Sequence, residues 1–206
     1  MANPIHHSRQ DQEARRRALI EATLESLAAG GLGAVSVRDV AARAGVSIGL
    51  VRHHFGSFGA LLVEAYRQTT QEIDGRLGAA VDAAGADPRA RMEAFLSASF
   101  AADIVDRDLL SAWLGFWGLV RIDPAAAALH AQSYAAYRAR IEGLLADLAA
   151  ADGRRADVRA GAMALAAMLD GLWLELCLDP LTFTPDAAIA MTRQWVAGFL
   201  ATASLA

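Results

Sequence analysis

Two sets of side chains in this 206-residue sequence are of types that can bind another molecule. The first is polar and lies between Ser36 and His54. Ser36 heads Ser-Val-Arg-Asp, and Ser47 heads Ser-Ile-Gly-Leu-Val-Arg-His-His. Ser36, Arg38, Ser47, Arg52, His53 and His54 thus place hydroxyls, guanidiniums and imidazoles on two short candidate helices. Such groups near helix N-termini are suited to phosphate and base-edge contacts. The second set is aromatic: Trp113, Phe116 and Trp117 recur at helical spacing, and Trp173, Tyr134 and Tyr137 follow. A stripe of this kind builds either a packed core or a cage for a cation, and spacing alone leaves both open.

Other chemistries lack their residues. There is no phosphate loop, no HExxH, no Gly-x-Ser-x-Gly and no paired metal ligands. His53 and His54 are adjacent and would point different ways on a helix. The expectation is therefore no metal, no cofactor and no catalysis. Cys177 is the only cysteine, set in the apolar run Glu175-Leu176-Cys177-Leu178, and reads as a buried structural thiol. The net charge of −4 is uneven: residues 1–60 carry seven arginines against five acids, and the remainder carries twelve against eighteen. A basic head on an acidic body suits nucleic-acid contact at one end. The longest segment without a charged residue is 14 residues, Pro124 to Tyr137, shorter than a membrane span requires, and MANPIHHSRQ has no apolar signal core. No membrane partner and a cytoplasmic location are expected.

Positioning these groups takes helices. Ala and Leu are abundant and β-branched runs are few, and nine helical segments can be traced with no convincing strand. Residues 1–8 read as a mobile tail. A first helix from Arg9 ends at Gly30-Gly31. Ser36 caps Val37 to Ala44, with Asp39 three residues on as in a capping box. Gly45 cuts that helix, and Ser47 opens another from Ile48 to His54. Ser57 caps a long helix to about Ala84. Further helices are expected at 88–103, 107–121, Pro124–Ala150, 155–178 and 184–203, the last begun by Thr184-Pro185-Asp186. Two short helices joined by a Gly-containing turn form a helix-turn-helix, whose second helix enters the major groove. Val37, Val40, Ala41 and Ala44 would face Val46, Leu50, Val51 and Phe55. By position in that motif Ser47, Ile48, Gly49, Arg52 and His53 are expected toward the groove, with Arg52 reading a guanine edge or holding a phosphate.

Val40-Ala-Ala-Arg-Ala-Gly-Val-Ser47, the His53-His54-Phe55 end of the short helix and Leu61-Leu62 resemble the TetR family of transcriptional regulators. The likeness is close over about the first 65 residues. Ala112-Trp113-Leu114-Gly115-Phe116-Trp117, Asp170-Gly171-Leu172-Trp173-Leu174 and Thr192-Arg193-Gln194 resemble the choline-responsive branch of that family, which controls glycine betaine synthesis. The resemblance implies an all-α fold of nine helices: a three-helix DNA-binding domain at 1–56, then a helical ligand-sensing and dimerisation domain at 57–206. It implies phosphate contacts at Ser36 and His54, with Arg38 a basic neighbour. The sequence departs from many relatives in having Phe58 where they carry Lys, and Gly56 where they carry a basic or polar residue. That shifts phosphate contact toward Arg15-Arg16-Arg17.

The implied partners are operator double-stranded DNA, a second copy of the chain and a small choline-like effector. Ala164, Leu165, Met168 and Leu172, with Ala188, Met191, Trp195 and Phe199, fall at helical spacing on the last two long helices and are the expected dimer faces. A quaternary ammonium is held by aromatic faces with an acid nearby. Trp113, Phe116, Trp117, Tyr137, Asp170 and Trp173 are then the expected ligand residues, with Asp103 or Glu175 as other acids. A hydrophobic drug or aromatic metabolite is the alternative effector, since the same tryptophans would serve.

Overall fold

The computed structural model describes the backbone over residues 4–205 and side chains over 11–204. Among the described residues there are nine helices: α1 (Pro4–Ala34), α2 (Val37–Arg43), α3 (Ile48–Phe55), α4 (Phe58–Ala83), α5 (Pro88–Ser99), α6 (Arg107–Val120), α7 (Pro124–Ala151), α8 (Val158–Leu178) and α9 (Pro185–Ala201). The chain is helical from Pro4 rather than Arg9, and the rest of the expected mobile tail lies outside the described residues. α1 breaks at Gly31 (φ 65°, ψ −172°), where the double glycine was expected to end it.

Most starts follow their caps. Asp87 accepts from the Arg89 and Ala90 amides, Asp123 from Ala125 and Ala126, and Thr184 from Ala187. Two boundaries differ. α5 stops at Ser99 instead of 103, because Phe100 and Ile104 turn inward and bury their side chains in a non-helical segment. α8 starts at Val158 instead of 155. Asp157 caps it, and Arg154–Arg155 (β1) pairs antiparallel with Ser204–Leu205 (β2), a two-residue pairing the sequence did not show.

The chain divides into two compact units. One holds the residues up to Thr69 together with Asp108–His130; the other holds Thr70–Arg107 and the residues from Ala131 on. This partition differs from a division after residue 56, because α6 joins the N-terminal helices. Gly115 of α6 lies so close to α1 that a Cβ there would meet Leu27 Cδ2 at 2.9 Å, with the Leu32 amide nitrogen at 3.6 Å. Leu19, Leu27, Val40, Val51, Leu61, Tyr66 and Phe116 form the core of this unit.

In the second unit, α8 supplies Leu165, Ala166, Leu169, Trp173 and Leu176 to the interior. By length and mean hydropathy (1.5 over its best window) α8 is apolar enough to cross a membrane, which counting charge-free segments had not shown. Of that window, 44% is buried inside the protein. Phe199 lies against Gly161 within the same chain and stacks on Trp195 at 5.4 Å, while part of its surface stays open. A Cβ on Gly161 would sit 2.5 Å from that ring. Gly161→Ala should therefore force the ring aside and cost about 1–3 kcal/mol, read as a lower denaturant midpoint.

Candidate DNA-reading head and effector site

The helix-turn-helix is assembled by local rules. Ser36 Oγ accepts from the Asp39 amide at 3.2 Å and starts α2. The Asp39 carboxylate, expected to complete a capping box, instead takes a short hydrogen bond from Ser26 Oγ and pairs with Arg43 Nε at 2.8 Å. The Ser26 bond, then Arg43, hold its carboxyl below the usual range. Arg43 is therefore occupied within α2. The turn depends on Gly45, whose φ of 65° an L side chain rarely adopts, and the Val46 amide returns to the Ala41 carbonyl at 2.9 Å. Val40, Ala41 and Val51 are buried, with Val37, Ala44, Val46 and Phe55 packed on them, as the apolar spacing predicted. Gly56 closes α3 at φ 78°, which explains a glycine at that point.

This packing turns the other side of α3 outward. Ser47, Ile48, Gly49, Arg52 and His53 are all exposed, as are Ser36 and Arg38 on the preceding segment. Ser47 sits at the N-cap in extended backbone, but its hydroxyl makes no cap bond. His54 is half-buried, and desolvation, then the charges of His53, Arg15 and Arg16, lower its pKa. Phe58 is partly buried against the core.

The three clustered arginines do not act alike. Arg15 and Arg17 are exposed. Arg16 pairs with Glu64 at 2.6 Å, and its guanidinium lies 4.8 Å from the Phe55 ring centroid, so it ties the end of α3 to α1 and α4. Arg16→Ala is expected to weaken operator binding while leaving the slope of log K against log[salt] unchanged. Arg15→Ala and Arg17→Ala should each flatten that slope by about one. Affinity titrations from 50 to about 300 mM salt distinguish the two behaviours.

The expected effector residues divide between the two units. Trp113, Phe116 and Trp117 belong to the first. Phe116 is 1% exposed and stacks on the buried Tyr66 at 4.6 Å, so it packs as core. Trp113 meets Tyr66 edge-on at 5.4 Å and lies 6.1 Å from Trp117. Sequence reasoning did not single out Tyr66, whose hydroxyl is 2.8 Å from His130 Nδ1. A single tyrosine in an apolar run gives no signal of a partner 64 positions away.

Tyr137, Asp170 and Trp173 belong to the second unit. Trp173 is buried, and its indole N–H donates to the Ile104 carbonyl at 2.7 Å. Asp170 is half-buried and accepts a hydrogen bond from Tyr134, with Arg138 also acting on it. Burial pushes its carboxyl up to about 6, and the Tyr134 bond and the Arg138 charge only partly oppose that. Desolvation, then Asp170 and Tyr134, push the Tyr137 phenol well up. Of the other two candidate acids, Asp103 pairs with Arg76 at 2.8 Å and Glu175 is exposed. Asp170 is therefore the acid set among aromatic side chains. Cys177 is 2% exposed and burial raises its thiol, in keeping with a structural role.

An outward-facing second helix on a helix-turn-helix, carried by an otherwise helical chain, defines a DNA-binding transcriptional regulator. Residues 19–65 match the bacterial regulatory proteins of the tetR family, and residues 88–201 match the BetI-type transcriptional repressor C-terminal domain. The chain belongs to the TetR family and carries a BetI-type C-terminal domain. The HTH-type transcriptional regulator BetI of Paraburkholderia phytofirmans is 34% identical over 185 residues, covering 90% of this chain and 93% of that protein. A transcriptional regulator from Pseudomonas aeruginosa PAO1 is similar in structure at 43% identity, with a TM-score of 0.87 and 92% of each chain covered. A Saccharomonospora viridis regulator solved with choline shares the fold at 23% identity, with a TM-score of 0.77, over 88% of this chain and 95% of that one.

Proposed function

We propose that this repressor binds a twofold operator as a homodimer in the cytoplasm and leaves it when a choline-like quaternary ammonium binds. It would thereby control genes for converting choline to glycine betaine, without catalysis and without a cofactor. Asp170 carries the effector reading. The Tyr134 bond and the Arg138 charge offset the burial of this carboxyl only in part, so a further cation beside Tyr134 and Tyr137 would repay the remainder. The α2–α3 head, within 1–56, would meet DNA through Ser36, Arg38, Ser47, Ile48, Gly49, Arg52, His53 and His54. The remainder, 57–206, would sense the ligand and dimerise.

Dimerisation is supported by α8, whose outward residues Ala160, Met163, Ala164, Ala167, Gly171 and Leu178 are apolar or small at helical spacing. Ligand would favour a dimer whose reading helices are spaced wrongly for the two half-sites, with α4 transmitting the change. Choline, betaine aldehyde and neutral aromatics are to be compared by thermal shift and by release of operator in gel-shift titrations. Stabilisation and release by the quaternary ammonium compounds alone support this reading. A response to neutral aromatics alone would move the assignment to a hydrophobic effector.

A further inference from the structure

We propose that Ile48 is a specificity residue that selects a thymine in each operator half-site by packing on its 5-methyl group. This deepens, and rests on, the reading of α3 as the DNA-contacting helix. Ile48 is the first residue of α3 and is 47% exposed, while the interior of the head is filled by Val40, Ala41 and Val51. Nearly half of this aliphatic side chain stays open to solvent among Ser47, Gly49, Arg52 and His53. Next to it, a methyl built on Gly49 would meet the Ser47 hydroxyl at 3.8 Å and otherwise open space, so a base edge can approach the backbone there.

Ile48 itself lines a groove of about 330 Å³ together with Val37, Val51, Arg52 and Phe58. Ile48 and Arg52 are four residues apart and share a helix face. In the major groove thymine alone offers an apolar group, its methyl, next to an acceptor. The other bases present only donors and acceptors, which would lose hydrogen bonds against an aliphatic wall. An isoleucine one turn from a guanidinium therefore matches a thymine whose neighbour offers an acceptor.

The test begins with duplexes selected from a random library by the full-length protein. Each thymine of the selected site is then replaced by deoxyuridine, which removes the methyl and nothing else. At one position in each half-site, the native protein should lose about fourfold in affinity, and roughly tenfold or more when both half-sites are changed. Ile48→Ala, whose folding is checked by its melting curve, should bind thymine and deoxyuridine operators equally. The proposal is overturned if selected half-sites contain no invariant thymine, if every deoxyuridine duplex binds the native protein as well as its parent, or if Ile48→Ala still senses the methyl. In those cases the DNA-reading role of α3 stands. A library that yields no preferred sequence removes that role, and this inference with it.

Discussion

Arg52→Ala is expected to lower affinity for the selected operator by between about 30-fold and 10⁴-fold, with a far smaller change on random duplex. The range follows from one bidentate guanine contact in each half-site, each supplying about 1–3 kcal/mol of discrimination. Arg52 is well placed for that contact. It is exposed, it lies one turn into α3, and the Gly56 amide bonds its backbone carbonyl at 2.9 Å, which fixes the end of the helix that carries it. Truncating an exposed side chain should leave stability within about 0.5 kcal/mol, so the melting curve serves as the control. Fluorescence anisotropy on the operator and on scrambled duplex, at matched salt, measures both affinities. Equal losses on the two duplexes would assign Arg52 to a phosphate instead, and no loss on either would remove α3 from the interface.

Asp170→Asn should separate ligand response from DNA binding. The asparagine has the same shape and can still accept from Tyr134, but it has no charge to offer a cation. Choline binding should weaken by about 10- to 100-fold, as expected when a charge-assisted contact is lost, with operator affinity unchanged. The same variant carries a signature in stability. Burial pushes the Asp170 carboxyl up to about 6 in the folded chain, above the 3.8 of an ordinary aspartate. The folded state therefore holds more protons than the unfolded state across that window, and stability declines as pH rises through it. Above pH 6, Asp170→Asn should be more stable than the native protein without ligand, by at most about 3 kcal/mol, and the difference should vanish toward pH 4. Choline affinity of the native protein should weaken as pH falls below about 6, up to tenfold per unit, because the cation requires the ionised form. Calorimetry at pH 5 and pH 8 tests both signs. An Asp170→Asn protein that responds normally to choline would exclude this acid. Trp173→Ala is a poorer probe, since it would open a cavity and strand the Ile104 carbonyl, costing about 3–5 kcal/mol irrespective of any ligand.

The reading head was legible because its rules are local. Ser36 caps α2, Gly45 takes a left-handed turn, and Val40, Ala41 and Val51 repeat with the helical period. A few consecutive residues state each of these facts. The outward set from Ser47 to His53 follows as the complement of the buried one. The candidate effector residues were less legible. Aromatic spacing on α6 treats Trp113, Phe116 and Trp117 alike, yet Phe116 is sealed against Tyr66 and Trp117 is only half-buried. Asp170 was one acid among three until its partners were seen.

By itself the sequence determined the nine helices seen among the described residues, most of their caps, the helix-turn-helix and its apolar side, because cap chemistry and side-chain period act within a turn or two of backbone. Tertiary structure alone decided that α6 belongs with the N-terminal helices, that Arg16 binds Glu64 and Phe55, that Phe199 lies on Gly161, and that Trp173 is tied to the segment before α6. Each of these contacts joins residues 38 or more positions apart. Their energies come from close fit and desolvation, quantities that exist only once separate helices share a surface.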